Sequence, residues 1–503
     1  MKLFVFAVGG TGARVLRSLA PLLAAGCRLP ENTTIVPIIL DYDLNNGDTR
    51  RAENLLEKYQ VVRREAYKQS AYKDDTFFAT PIMRMDQIPV ANGAQSRAGQ
   101  HFHVSVEGSE NTFGDYIGYN LLMHNTVSAK DLSLSNNLLR SLYNDDPQSP
   151  ARELHLRLNV GFKGNPNIGS VVFDKWIDGN DFHFFEENVS EGDRIFVISS
   201  IFGGTGASGF PKIIQRIRNS QHNNAANAKI GAAIVMPYFK FGDDPQSAIT
   251  ASFFNSKTKA ALNYYESCRL NECIDAIYYL SDEVKDASGQ YNNKEGGNEQ
   301  KNDAHIMELL AATAIVDFAN KRSDVELAVR SAYEFGLKDE LKPVLHISHF
   351  DELSKERYWD NLTKLTFMLR YYQEILPKAS QKLSHVVRLD LSPANFRNNN
   401  FHRALNDFLD IYKEWLLELE NNTMRKFKPY NLSSSLNEIL ADKPLTKKNW
   451  IGKMVPLNID AAFFYEKMDR YYDKHQHDGL CNEELFLLVA RKAMREALEY
   501  YDR

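Results

Sequence analysis

Two glycine-rich turns constrain the fold of this chain more than any other feature of its sequence. Each turn follows a short apolar run, as in a buried parallel strand, and precedes a segment with apolar residues at helical spacing. The first turn covers residues 9–14 (GGTGAR) after the run 3–8, and the second covers 202–209 (FGGTGASG) after the run 194–201. Because strand, glycine turn and helix recur in the same order, we predict an α/β fold with a parallel sheet.

The other apolar runs before about residue 340 extend this alternation. Further strands are predicted at 35–40, 229–236 and 274–280, and helices at 14–25, 210–218, 248–267 and 303–320. Strands interleaved with helices favour a sheet that is covered on both faces.

Length and pattern together predict two regions. The 503 residues exceed what one hydrophobic core usually supports. From about residue 350 the pattern is mainly helical, with amphipathic stretches at 401–420 and 483–501 and little strand signal outside 386–391. We therefore expect an α/β domain over 1–325, with a long insertion at about 50–190, and a mainly helical C-terminal region over 326–503.

Composition narrows the class of protein. The formal net charge of −5 gives no general attraction to nucleic acid or to an anionic membrane. The four cysteines are scattered and form no CxxC pair, so they fit a reducing compartment and predict no structural metal site. No window approaches the ~20 apolar residues of a membrane span, and the short apolar start does not resemble a signal peptide. We expect a cytoplasmic protein without a transmembrane segment.

The two glycine turns have the chemistry of a phosphate site. Glycine lets the backbone approach an anion closely, and the first N–H groups of the following helix favour negative charge. Ligands collect at the carboxyl ends of parallel strands, so two such turns in one sheet predict the two sides of one phosphate cradle. Two other interpretations remain: tight turns without a ligand, and, for the first turn alone, a Rossmann dinucleotide site. No Walker lysine is present, which disfavours a P-loop NTPase.

The second turn also resembles a known family. GGTGASG is similar to the Gly-Gly-Gly-Thr-Gly-Ser/Thr-Gly signature of the tubulin/FtsZ superfamily, with Phe202 in place of the first glycine, and the opening VGGTGAR resembles its divergent prokaryotic tubulin-like branch. The resemblance implies that residues 1–325 form a tubulin/FtsZ-like nucleotide-binding domain for GTP or GDP, with Mg²⁺ as a companion. It assigns to the phosphates Gly9, Gly10, Thr11, Gly12 and Arg14 of the first turn, and Gly203, Gly204, Thr205, Gly206 and Ser208 of the second.

The same resemblance places acidic and basic residues around the phosphates. The stretch IILDYDLNNGD is similar to the acidic loop after the second strand, which makes Asp41 and Asp43 candidates for the phosphates or Mg²⁺; a solvated loop is the other interpretation. The stretch NGAQSRAGQHF resembles the loop that senses the γ-phosphate, which points to Arg97 and Gly99.

The ribose and the base are assigned in the same way. The segment PYFKFGDDP lies where the family contacts the ribose, which suggests Asp243. Asn302 and Asp303 resemble the position that reads the guanine edge, although N-capping of the following helix would explain them too.

Two departures from the family bear on activity. The loop that completes GTP hydrolysis on a neighbouring subunit corresponds here to DFANKRSDVE (317–326), where Asp317 and Asp324 are the candidate catalytic residues. Their spacing does not reproduce the family's Asn-x-Asp-x-x-Asp. The family's second domain, a mixed sheet beside helices, is also not recognisable in the helical tail.

Three functions follow from these observations. The first is a GTP-binding tubulin-like protein, a slow GTPase that self-associates into filaments with nucleotide bound. The second is a non-polymerising, nucleotide-gated interaction module that recruits partner proteins through its helical tail. The third is a Rossmann-type NAD or FAD enzyme, in which Asp41 would hold a ribose and the second glycine turn would have no role.

Overall fold

Six parallel strands form the central sheet of the computed structural model. The strands run in the order β2-β1-β3-β4-β5-β6, and every neighbouring pair is parallel. They are β1 (Lys2–Val8), β2 (Thr34–Leu40), β3 (Arg194–Ser200), β4 (Lys229–Val235), β5 (Ala276–Asp282) and β6 (Ser331–Leu337). Two short pairs lie outside this sheet: β7 (Val344–Leu345) with β8 (Lys426–Phe427), and β9 (Thr446–Lys448) with β10 (Met454–Pro456).

The structure describes residues 1–43, 45–68, 75–89, 98–104, 111–119, 121, 129–143, 152–162, 164–239, 254–282, 291, 297–337, 344–442, 446–448, 453–456 and 459–499. Within these ranges, the helices of nine residues or more are α1 (Gly9–Ala24), α2 (Gly47–Ala66), α3 (Ala129–Leu142), α4 (Pro166–Ile177), α5 (Asn180–Asn188), α6 (Gly204–Arg218), α7 (Phe254–Ser267), α8 (Ile306–Asn320), α9 (Asp360–Arg370), α10 (Asn400–Asn421), α11 (Ala461–His475) and α12 (Asn482–Glu499). Shorter helices cover Phe113–Tyr116, Asn223–Asn227, Glu352–Ser354, Ser384–Arg388 and Pro393–Asn398.

The strand order reverses at β1, which is the feature that positions the site. β2 lies on one side of β1 and β3 on the other, and Val8 at the end of β1 is in register with both Leu40 and Ser199. The carboxyl ends of these three strands are therefore level. In open parallel sheets, ligands bind in the crevice at such a reversal point.

Alternating residues of β1 enter two separate cores. Leu3 and Val5 pack in the core under α1, α2, α8 and the C-terminal helices, whereas Phe4 and Phe6 pack in the core under α4, α5, α6 and α7. The sheet is covered on both faces, and the tail from residue 344 is mainly helical. The α/β fold class predicted from the sequence is confirmed.

Some predicted boundaries change. The helices after both glycine turns begin inside the turns, at Gly9 and Gly204. The strand signal at 386–391 is wrong: Ser384–Arg388 is a short helix, since tertiary packing of the buried Val386 overrides its β propensity. The edge strand β6 was not predicted, because it is only partly buried and lacks a continuous apolar run.

β6 also extends the sheet past residue 325, and the division into two domains stays a prediction. In the part of the chain that the structure describes, no helix combines the length and apolarity needed to cross a membrane.

Candidate functional site

The two glycine turns meet at the carboxyl edge of the sheet. A Cβ placed on Gly9 would lie 3.4 Å from the Cβ of Thr205 and 3.8 Å from the backbone nitrogen of Gly206. Gly9 has a φ of +71°, a left-handed conformation that favours glycine. The turns after β1 and β3 are therefore adjacent, as the sequence predicts, and both line one cavity.

Two helices begin at this cavity without a side-chain cap. Among the described residues, no side chain accepts a hydrogen bond from the first turn of α1 or α6, and neither first turn contains an acidic residue. The helix α2, by contrast, is capped by the side chain of Asn46. The first N–H groups of a helix have no intrahelical acceptor and carry the positive end of its dipole. Two uncapped helix starts directed at one cavity make an anion site.

The cavity has a volume of about 130 Å³. This is below the roughly 300–1,000 Å³ of pockets that enclose whole small molecules, so it would enclose only part of a larger ligand. Of the predicted residues, it is lined by Gly9, Gly10, Thr11, Arg14, Asp41, Asp43, Gly203, Gly204, Thr205, Gly206 and Asn302.

Arg14 lines the cavity but is already held by two carboxylates. Its Nη1 lies 2.6 Å from Asp48 Oδ2, its Nε lies 2.5 Å from Glu308 Oε1, and its Nη2 donates to the Tyr238 hydroxyl at 2.8 Å. Burial opposes the charged form, but Tyr238 and the two carboxylates hold the pKa of Arg14 well above its ordinary value. Arg14 is therefore a fixed cation whose charge is largely balanced before any ligand arrives.

Asp41 and Asp43 are buried carboxylates at the same cavity. Burial, together with the adjacent Asp43, raises the pKa of Asp41 to about 7. Asp43 Oδ1 accepts from the backbone of Asn45 at 3.0 Å, and its Oδ2 accepts from the backbone of Gly297 at 2.5 Å. Two buried carboxylates beside an anion site need a cation, and Mg²⁺ commonly takes one or two carboxylates together with phosphate oxygens and water. The donor set therefore fits Mg²⁺, and the solvated-loop interpretation of these residues does not match their burial.

Asn302 presents an unsatisfied acceptor. Its backbone N–H and its Nδ2 donate to the two carboxylate oxygens of Asp48 at 3.1 Å and 3.3 Å. Its Oδ1 is buried and has no hydrogen-bond partner among the described residues. Leaving a buried polar group unpaired costs about 1–3 kcal/mol, so a ligand N–H at this position would be stabilised.

N-capping of α8 does not account for Asn302 and Asp303. The helix α8 begins at Ile306, and its cap is His305, whose Nδ1 accepts from the backbone of Met307 at 3.1 Å. Asp303 is exposed and does not line the cavity, and its carbonyl oxygen accepts from Tyr291. Of the two, only Asn302 is placed to meet a ligand.

Three of the predicted phosphate-site residues, Gly12, Ser208 and Gly99, do not line the cavity. A Cβ on Gly12 would come within 2.5 Å of the Ala7 carbonyl carbon, so Gly12 allows α1 to pack on β1. The Ser208 hydroxyl donates to the Gly204 carbonyl at 2.7 Å and is buried inside α6. Gly99 donates its backbone N–H to Asp181 and does not line the cavity.

The candidate catalytic residues lie at the far end of α8. Asp317 accepts from the Tyr278 hydroxyl at 2.7 Å and lies 3.0 Å from Lys321 Nζ. It is eleven residues beyond Ile306, or roughly 17 Å along the helix axis. Asp324 has an 81% exposed side chain. Arg97 and Asp243 lie outside the described residues.

Sequence reasoning missed one cation of the cavity. Lys257 enters from α7 and donates its ammonium to the carbonyl oxygen of Gly164 at 2.6 Å, and burial lowers its pKa. A lysine near the start of an ordinary helix carries no local motif. Only the packing of α7 beside the second glycine turn identifies it.

The site can be compared with known proteins. No protein-family model and no curated protein sequence matches the chain. Among solved structures, CetZ from Methanosaeta thermophila strain DSM 6194 aligns at 13% identity with a TM-score of 0.27, covering 63% of this chain and 52% of that one. CetZ2 from Haloferax volcanii, solved as a GTPγS-bound protofilament, aligns at 10% identity with a TM-score of 0.28, covering 63% of this chain and 58% of that one.

This chain thus spans less than two thirds of either neighbour's length. TM-scores this low do not by themselves establish a common fold. The chain's own topology is an α/β fold in which the two glycine turns follow adjacent strands at the point where the strand order reverses.

Proposed function

We propose that this chain is a tubulin-like protein that binds GTP or GDP, with the phosphates between the two glycine turns. The observation that carries the proposal is the contact of Gly9 with Thr205, which brings two uncapped helix N-termini to one cavity. A Rossmann dinucleotide site would use one glycine turn and leave the second without a role.

The residues divide into three sets by the part of the ligand that they would hold. Backbone N–H groups at Gly10 and Thr205 would take the phosphate oxygens, and Lys257 would add a positive charge. Asp41 and Asp43 would hold Mg²⁺, which when bound supplies the charge that neutralises the phosphates. The base would lie towards Asn302, whose unsatisfied Oδ1 would accept a hydrogen bond from a guanine N–H. Adenine lacks the N1–H and N2–H donors of guanine, so guanine would be preferred.

Thermal unfolding with Mg²⁺ and each of GTP, GDP, ATP and NAD tests the proposal, because only a ligand that prefers the folded state raises the midpoint. GTP and GDP should raise it most. Lys257→Met should weaken GTP binding roughly tenfold, as expected for a lost hydrogen bond to a charged group. The matched control is Lys212→Met, which removes a lysine paired with Asp174 on the surface of α6. A midpoint that rises with NAD and not with GTP overturns the assignment.

A second candidate function is a nucleotide-gated interaction module, favoured by ion pairs that connect the cavity to the C-terminal helices. Asp48 pairs with Arg14 at the cavity and with Arg51 at 2.7 Å, and Arg51 pairs with Glu418 of α10 at 2.9 Å. A ligand whose negative charge competes with Asp48 for Arg14 therefore acts on a chain of charges that ends in α10. Partner proteins would bind through the C-terminal helices in a nucleotide-dependent way.

The nucleotide-bound protein could instead self-assemble into filaments. Pelleting and electron microscopy distinguish filament assembly from the interaction module. A filament-forming GTPase pellets with GTP, releases phosphate, and loses both with Thr205→Val. In that case Asp324→Asn should leave GTP affinity unchanged and slow phosphate release from the pelleted material. An interaction module keeps a 1:1 complex with GTP, neither pellets nor releases phosphate, and captures its partner only when nucleotide is bound.

A further inference from the structure

A second cavity lies at the opposite end of α1 from the glycine turn. The helix has sixteen residues, so the two cavities are separated by roughly 24 Å along its axis. The second cavity has a volume of about 550 Å³, within the range of small-molecule sites. Its walls come from residues 26–29 after α1, from residues 75–80, from α9 and the turn before it, and from α12.

Basic side chains dominate the ionisable lining of this cavity. Four are basic and two are acidic: Arg28, Lys364, Arg491 and Arg495 against Asp75 and Glu356. The described lining therefore carries an excess of two positive charges.

The arginines of α12 have structural partners. Arg491 donates to the carbonyl oxygen of Ala25 and to Asn361 Oδ1, both at 2.7 Å, and its Nε lies 3.3 Å from Asp75 Oδ1. Arg495 lies 2.8 Å from Asp75 Oδ2. These bonds attach α12 to the end of α1, and they use the whole carboxylate of Asp75.

Lys364 has no such compensation. Its ammonium donates only to Asn361 Oδ1, at 3.4 Å, and no carboxylate of the described residues lies within ion-pair distance. Burial, with Arg491 nearby, lowers the pKa of Lys364 to about 8. Arg28 is exposed at the rim and likewise forms no ion pair with a described residue. The two cations face a space that is large enough for an organic molecule.

We propose that this cavity binds a small molecule carrying a phosphate monoester, with its phosphate between Lys364 and Arg28. A phosphate monoester has a charge of about −1.5 to −2 at pH 7, which matches the excess charge of the lining. The volume beyond the phosphate accommodates the organic part of the ligand. This site is separate from the glycine turns and does not depend on the nucleotide proposal.

Pyridoxal 5′-phosphate is a suitable probe because it carries both a phosphate and an aldehyde. The Lys364 amine adds to the aldehyde and loses water to form an imine, and added borohydride transfers hydride to the imine to leave a stable secondary amine. Mass spectrometry of the peptides then locates the label. Lys364 should react at least about tenfold faster than the exposed Lys382 near neutral pH, because Arg28 keeps the phosphate of the probe in the cavity while the Lys364 amine, whose pKa is lowered by burial, adds to the neighbouring aldehyde.

Four controls make the test specific. Pyridoxal without phosphate should label Lys364 about tenfold more slowly, inorganic phosphate should protect Lys364, and saturating GTP should leave the labelling unchanged. Arg28→Ser, a change at an exposed residue, should remove the preference for the phosphorylated probe without lowering the unfolding midpoint. Equal labelling by pyridoxal and its phosphate, or labelling of Lys364 no faster than that of Lys382, overturns the proposal.

Discussion

Arg17 of α1 and Glu418 of α10 form a buried two-point ion pair across 401 residues of sequence. Arg17 Nη1 lies 2.5 Å from Glu418 Oε2, and Nη2 lies 2.9 Å from Oε1. Glu418 also accepts from Arg51 and from the backbone of Ala304, which precedes α8. One carboxylate thus joins the helices next to the phosphate cavity to the C-terminal region.

We expect Glu418→Gln to destabilise the protein by about 3–5 kcal/mol, because it leaves Arg17 buried without its ion-pair partner and leaves Arg51 with Asp48 alone. Urea unfolding measures the loss. The matched control is Glu414→Gln on the same helix, whose half-exposed carboxylate lies 3.8 Å from Lys301 and should contribute less than about 1 kcal/mol. Equal losses of unfolding free energy for the two substitutions would show that the buried ion pair stabilises the protein no more than the exposed one.

Asn302→Leu should remove the preference for guanine while keeping the phosphate contacts. The difference between GTP and ATP affinity should shrink by about 1–3 kcal/mol, because the orphaned Oδ1 no longer selects a ligand N–H. Isothermal titration with GTP, ATP and pyrophosphate measures this, with unchanged pyrophosphate affinity as the internal control. Asp303→Asn changes the adjacent exposed residue and should leave the preference for GTP over ATP intact. If Asp303→Asn removes that preference and Asn302→Leu does not, Asp303 recognises the base.

Gly9→Ala should destabilise the first glycine turn by about 1–2 kcal/mol, because a side chain is strained at a φ of +71°. Strain at Gly9 would shift the first N–H groups of α1, so GTP affinity should fall. Gly203→Ala is the control: its φ is −88°, and an added Cβ would meet only the Ser200 hydroxyl, at 3.3 Å. Thermal unfolding with and without GTP separates the two effects. A Gly9→Ala protein with normal midpoint and normal affinity would contradict the assigned geometry.

Buried neutral histidines should make the protein sensitive to mild acid. Burial lowers the pKa of His402 to about 4, and the ring accepts from or donates to the Tyr372 hydroxyl at 3.0 Å. The unfolded chain binds the proton first, at about pH 6.5, so this contribution to stability is complete above that pH and is lost as pH falls towards 4. His402→Gln should reduce the slope of unfolding free energy against pH by about 1.4 kcal/mol per unit between pH 4.5 and 6. The exposed His222→Gln should leave the slope unchanged.

The sequence predicts the parts of this structure that depend on local pattern. Five of the six strands are continuous apolar runs, and the helices after β1, β3, β4 and β5 have apolar residues at regular spacing, so their place in the chain follows from periodicity. The helix α2, which follows β2, was not among the predicted helices. The meeting of Gly9 with Thr205 also follows, because turns at the carboxyl ends of adjacent parallel strands must be close.

Other parts depend on contacts between distant segments. Nothing local in the sequence indicates that Arg14 is balanced by Asp48 and Glu308, that Lys257 reaches the cavity, or that His305 caps α8 in place of Asn302. Each of these depends on side chains that packing brings together from separate elements. The catalytic roles of Asp317 and Asp324 stay predictions, because a second copy of the chain would complete such a site.

The pairing of α1 with α10 and α12 sets the order in which the structure can form during synthesis. Arg17 can form its ion pair only after Glu418 has been synthesised. The end of α1 is likewise bonded only after Arg491, which donates to the Ala25 carbonyl from 466 residues away, has been added. The flank of α1 that packs against these helices therefore stays exposed until α10 and α12 have been synthesised. This core therefore closes late, and a nascent chain stalled before residue 418 has both glycine turns but lacks the carboxylate that pairs with Arg17 and Arg51.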